Sequence, residues 1–136
     1  MAVSNDGYAR ATGVAGAALI CGSLVGGAVS VMAGTNTWAN AWTAHATLAA
    51  PWPMLLVQTA ATCAAIQRRR SVARVGSVLL GVTAAVAGVS GFFDGQLGRP
   101  DLSTWQVAAQ VCYVVVAWGT AVVAGVRVWK LRSPLS

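Results

Sequence analysis

Gln106, Gln110 and Tyr113 follow one another at i, i+4 and i+7, a spacing that puts all three on one face of a helix. An imidazole, His45, and a carboxylate, Asp94, stand near the ends of two other apolar stretches, and Gln58 lies in the middle of one. Amides and a phenol offer hydrogen bonds without formal charge, while an imidazole and a carboxylate can exchange protons. Brought together, His45, Gln58, Asp94, Gln106, Gln110 and Tyr113 would form a polar vestibule that receives a small ligand or a proton. A plainer reading competes. Gln and Tyr inside a helical bundle hydrogen-bond across helices for about 0.6–2 kcal/mol each. A lone His at a helix end is an interfacial residue, and Asp94 with Arg99 is a loop ion pair worth little when exposed.

Reaction chemistry finds little support. A helical metalloprotease site needs a second His and a Glu, and the chain has one His and no Glu. A bis-imidazole haem would require a symmetric dimer sharing His45. Proton-coupled exchange by a small exporter relies on a carboxylate within the membrane, and none of the three Asp lies inside an apolar stretch. No Ser has a His–acid pairing recognisable from spacing, and no glycine loop of phosphate-binding type occurs. Cys21, Cys63 and Cys112 have no CxxC spacing and read as small buried hydrophobes, forming neither a disulfide nor a metal site. No cofactor is expected. Catalysis is disfavoured, its one opening being a meeting of His45 with Asp94 across helices.

The elements that would carry these residues follow from where charge is missing. Hydrophobic residues make up 57% of the 136-residue chain and charged ones 9%, against about a quarter charged in soluble domains. Between Ala11 and Gln67, Val75 and Phe93, and Leu102 and Val126 there is no Asp, Glu, Lys or Arg. A bilayer crossing needs roughly 20 apolar residues, and a charge at its centre costs roughly 2.5–3.5 kcal/mol. The expectation is an all-α integral membrane protein, a single domain forming a four-transmembrane-helix up-and-down bundle. Its helices fall at about 11–33, 43–67, 75–93 and 103–128. Pro51 and Pro53 interrupt the second. Either that helix starts near Pro51 and is short, or a longer one from about Thr43 bends there. The first apolar run exceeds the 7–15 residues typical of a signal peptide's core, so it reads as a retained span. Ser103 and Gln106 have capping-box spacing at the start of the fourth.

Orientation rests on the basic residues. Arg10, Arg68, Arg69, Arg70, Arg74, Arg127, Lys130 and Arg132 fall on one side of this topology and Arg99 on the other. That bias places both termini in the cytoplasm of a cell with the chain in its plasma membrane, N-in and C-in. Arg68, Arg69, Arg70 and Arg74 then meet lipid headgroups. The net charge of +6 is accounted for by that arrangement, and no nucleic-acid partner is expected. The preference for Arg over Lys, with abundant Ala, Val and Gly, suggests a GC-rich bacterial source.

Lipid gives helices no hydrophobic reason to associate, so small residues that let backbones approach must do it. Ala18, Gly22, Gly26, Ser30 and Gly34 recur every fourth residue on the first span, Gly81, Ala84, Gly88 and Gly91 line the third, and Ala117, Ala121 and Gly125 the fourth. The pairs Gly22–Gly26 and Gly88–Gly91 are the expected helix-packing points. These stripes pack the bundle or join it to a second copy or another membrane subunit. The functional expectation is therefore a non-enzymatic accessory or scaffold component that associates through small-residue faces. The alternative is a ligand-binding or transport protein using the outer vestibule. A pore-forming or lysis-type protein is a third, weaker idea.

Overall fold

The computed structural model describes residues 2–44, 46, 49–93 and 98–132. It contains four helices, α1 (Ala2–Met32), α2 (Trp52–Ala65), α3 (Arg70–Phe93) and α4 (Thr104–Arg132), and no strand among the described residues. Each helix packs on its neighbours in sequence and α1 closes the ring against α4, whereas α1 barely touches α3 across the diagonal. The turn between Ala65 and Arg70 is short enough to force α2 and α3 into an antiparallel pair. Three helices are long and apolar enough to cross a membrane: Gly7–Met32 of α1, Arg70–Phe92 of α3 and α4 over its whole length.

Side chains are distributed as hydrocarbon, not water, would have them. Large apolar residues point outward, among them Val14, Leu56, Val82, Val115 and Val122, while Ser23, Ser30, Ser77, Thr12, Thr62, Thr120 and Gln58 point inward. The innermost apolar cluster consists of Leu19, Ala84, Ala87 and Ala117, with Met54 and Tyr113 packed against it. Buried hydroxyls are satisfied within their own helices: Thr62 Oγ1 donates to the Gln58 carbonyl at 2.7 Å, Ser77 Oγ to Ala73 at 2.7 Å and Thr120 Oγ1 to Val116 at 2.8 Å. Such bonds let polar residues sit inside without a partner on another helix. Cys21, Cys63 and Cys112 are exposed on the outer faces. They therefore face outward instead of filling the core as expected, because the interior is reserved for smaller or hydrogen-bonding groups.

Of the two forms open to the second apolar stretch, the structure has the short one. Pro51 is the extended N-cap of α2 and Pro53 sits in its first turn, where a missing N–H costs nothing. At about 1.5 Å per residue, fourteen residues reach only some two thirds of the way across a bilayer core. The other helices run beyond their expected limits, α1 back to Ala2, α3 to Arg70 and α4 on to Arg132. A basic residue at the end of a span keeps its charge in the headgroups while its backbone continues the helix.

The described residues among 34–51 take the place of the missing part of α2. α1 ends in a Schellman cap: Gly34 has φ 73°, its N–H donates to the Val31 carbonyl at 3.0 Å, and Thr35 N–H donates to Ser30 at 3.0 Å. The positive φ is the reason for a glycine here. The chain then descends through successive turns against the inner side of α1, burying Ala41 and Ala50. Trp42 lies flat on Gly27, where any Cβ would collide with its ring, and its Nε1 donates to the Ser23 carbonyl at 3.3 Å. Ser23 Oγ in turn accepts the Ala50 N–H at 2.7 Å, and the Trp42 carbonyl accepts the Trp52 N–H at 2.9 Å. Ser23 lies nine residues before the end of α1, about 13 Å down the helix. Irregular backbone at that depth is tolerated because protein partners absorb its polar groups.

Candidate functional site

Of the six residues expected to line a vestibule, Gln58, Gln106, Gln110 and Tyr113 are described, and two of these, Gln106 and Gln110, have local duties at the start of α4. Gln106 is the start of α4: its Oε1 accepts the Ser103 N–H at 2.8 Å and the Ser103 hydroxyl at 2.9 Å. This is half of a capping box. The Gln reaches back to the cap as expected, but the Ser hydroxyl donates to the amide instead of accepting a first-turn N–H. Gln110 Oε1 accepts the Gly98 N–H at 3.2 Å, tying the turn before α4 down onto the helix. Both amides are buried in these local duties. Arg99 makes a two-pronged bond to Asp101 at 2.9 and 2.8 Å in the open, so its carboxylate partner is two residues on. His45 and Asp94 lie outside the described residues.

What remains is deeper. Gln58 is 0% exposed, and neither its amide nitrogen nor its amide oxygen has a hydrogen-bond partner among the described residues. The Tyr113 hydroxyl is likewise buried without a well-formed bond, though it is directed at Ser23. The two belong to one level of the bundle. Tyr113 and Met54, one turn before Gln58, pack on the same Leu19–Ala84–Ala87–Ala117 cluster. Ser23 connects that level to the descending segment above it through Ala50 and Trp42. Buried amides are nearly always bonded, and an orphaned one in a native fold calls for a specific explanation. Two neutral hydrogen-bonding groups at one level of an otherwise apolar bundle suit a small ligand with a polar head and an apolar body. Gln58 and Tyr113 offer hydrogen bonds without formal charge at neutral pH.

The glycines divide unevenly. Gly88 and Gly91 are close-approach points between α3 and α4: a Cβ on Gly88 would lie 2.8 Å from Trp118 Nε1, and one on Gly91 2.9 Å from Val114 Cγ2. Gly22 is exposed and Gly26 half-buried. With Ala18, Val25 and Val29 they form one wall of an open groove of about 230 Å³ between α1 and α4, with Cys112 and Tyr113 on the other. The buried face of α1 is instead Thr12, Gly16, Leu19, Ser23, Gly27 and Ser30. Arg68, Arg69, Arg70 and Arg74 are all exposed at the turn between α2 and α3. Arg127 stood among the end-of-helix charges in the sequence, yet it is 3% exposed. Its placement was readable, since it falls twenty-one residues, three heptads, after Gln106 on the inward face of α4. No family model matches this chain, and no curated protein or solved structure is similar to it.

Proposed function

We propose that this chain crosses a bacterial plasma membrane four times, with both termini cytoplasmic, and that its interior holds a small neutral ligand at Gln58 and Tyr113. The single observation behind the ligand is Gln58, fully enclosed with both ends of its amide unpartnered. Support for the fourth crossing comes from α2 together with residues 34–51, which make up a full span's depth beside α1. Support for the orientation comes from the basic residues at one end of the bundle: Lys130 lies over the Tyr8 ring at 5.8 Å, and a Cβ on Gly13 would touch Ile66, so the start of α1, the arginine-rich turn and the end of α4 share that end. Its charge favours the cytoplasmic face. Whether the ligand is stored or passed across, recognition uses the same groups.

Gln58→Leu tests the reading, because Leu has nearly the same size and needs no partner. Removing an orphaned amide from a dry interior should stabilise the empty protein by about 1–3 kcal/mol, while ligand binding is lost. Native mass spectrometry of nanodisc-purified protein should find a small molecule on wild type that is absent from Gln58→Leu and reduced in Tyr113→Phe. Unliganded wild type, or an equal load on all three proteins, removes the proposal.

A second reading has its own observation: the Ala18–Gly22–Gly26 face is left open in this chain, which supports a scaffold role through association of two copies. Gly22→Leu with Gly26→Leu should abolish cross-linking between copies, and unchanged cross-linking would count against it.

A further inference from the structure

The inward face of α4 ends on a charge. Arg127 follows Val114, Ala117, Thr120 and Ala124 on that face, is 3% exposed, and its Nε and Nη1 are buried without a hydrogen-bond partner among the described residues. The register of the helices gives its surroundings. Thr120 Oγ1 donates to the Ala15 carbonyl at 3.2 Å, Lys130 lies over Tyr8, and Gly81 packs on Ala121 and Ala124. By that register Arg127 falls opposite Tyr8 to Ala11 of α1 and close to Ser77 of α3, and the nearest inward residues are Thr12 and Ser77, both 0% exposed. Their hydroxyls already donate to Tyr8 at 2.8 Å and Ala73 at 2.7 Å, and neither carries a charge. Of the three Asp in the sequence, Asp101 lies at the opposite end, Asp6 belongs to the start of α1 at this one, and Asp94 lies outside the described residues.

A long basic side chain close to a membrane surface ordinarily turns outward to water, as the exposed Lys130 and Arg132 do. Arg127 turns inward instead. A buried guanidinium without a counter-charge costs several kcal/mol, so the fold retains it in the presence of an anion. We propose that Arg127 anchors a phosphate-binding site at the basic end of the bundle, the phosphate being an anionic phospholipid headgroup or free phosphate. Trp129, 63% exposed, and Lys130, 5.0 Å from its ring, mark the plane where headgroups lie, and phosphate is the anion concentrated there. The planar guanidinium fork fits its oxygens, and basic pockets between helices on the cytoplasmic side hold such headgroups. The inference rests on the membrane placement but is independent of a ligand at Gln58.

The test compares wild type with Arg127→Gln in nanodiscs of phosphatidylcholine, with and without phosphatidylglycerol. Phosphatidylglycerol should raise the thermal midpoint of wild type and stay bound in native mass spectrometry, and Arg127→Gln should lose both effects. Arg99→Gln, exposed at the opposite end of the bundle, should keep the retained lipid. In the second arm, inorganic phosphate is titrated in phosphatidylcholine discs against chloride at equal ionic strength. Stabilisation of wild type there, absent in Arg127→Gln, identifies the soluble anion as the source. An Arg127→Gln protein that responds like wild type in both arms overturns the site. So does Asp6→Asn reproducing the loss, since Asp6 would then be the counter-charge. If Arg127→Gln does not fold, Arg127→Lys keeps the charge without the fork and should weaken the response about tenfold; an undiminished response overturns the proposal.

Discussion

The α3–α4 pair and the α1–α2 pair solve the same packing problem by opposite means. α3 and α4 run side by side over their whole lengths, with Gly81, Gly88 and Gly91 meeting Ala124, Trp118 and Val114. Their buried hydroxyls are bonded within their own helices. α1 meets α2 only over its own first half, with Gly16 against Thr62 and Gly13 against Ile66. Above Ser23 it faces irregular chain held by two bonds to one serine and one indole seated on a glycine. The first pair is a frame whose backbone needs nothing from its surroundings. The second has non-helical backbone packed beside α1, and the helix that follows it carries Gln58, whose amide has no partner among the described residues. Regular helices leave no polar backbone to a ligand; a broken one can.

The contrast breaks most completely where the two pairs join. A Cβ on Gly76 would collide with the backbone of Ala65 and lie 2.6 Å from the carbonyl carbon of Ala64. Backbone cannot move aside as a side-chain tip does, so Gly76→Val must separate α2 from α3 along their length. The expected loss is on the order of 3–5 kcal/mol, seen as failure to elute monodisperse from size-exclusion in mild detergent. Normal elution with a wild-type melting point would mean that the helices do not approach this closely. Gly27→Val should be gentler and local. It unseats Trp42 without touching α3 or α4, at a cost of about 1–3 kcal/mol, so residues 34–51 should lose hydrogen-exchange protection while α3 and α4 keep theirs. Equal loss in all four helices would show that the descending segment is no separate unit.

Much of this architecture was legible because charge is absent over runs that a bilayer requires, and because Pro51 and Pro53 mark where a helix cannot continue upstream. The inward face of α1 was not. Ala18, Gly22 and Gly26 recur as regularly as Gly16, Ser23 and Gly27, and where the outer surface is as apolar as the interior, periodicity has no contrast to report. The local duties of Gln106 and Gln110 were hidden for a different reason. Gln106 and Gln110 share a face with Tyr113, as their spacing required, but they sit close enough to the helix start for the cap and the preceding turn to claim them. Gln58 keeps no such neighbour. Its isolation in an apolar stretch was visible, whereas the descending segment before its helix depends on a bond from Ala50 to Ser23 across twenty-seven residues, which no local pattern encodes.

The smallest expected effect sharpens the comparison most, because it uses the same substitution in each pair. Ser23→Ala removes the acceptor for the buried Ala50 N–H and leaves that donor unsatisfied, for about 1–3 kcal/mol. Ser77→Ala removes a hydroxyl that only doubles a carbonyl's bonding within α3, and should cost less than about 0.5 kcal/mol. Both serines are 0% exposed, so burial alone predicts equal losses and any difference measures what the hydroxyl bonds to. Steric-trap unfolding in bicelles gives both numbers on one scale. Equal values would place the descending segment's hold on α1 elsewhere, in the packing of Trp42 on Gly27. A gap of about 1 kcal/mol or more would show that a single serine fixes the depth to which the irregular chain enters the bundle.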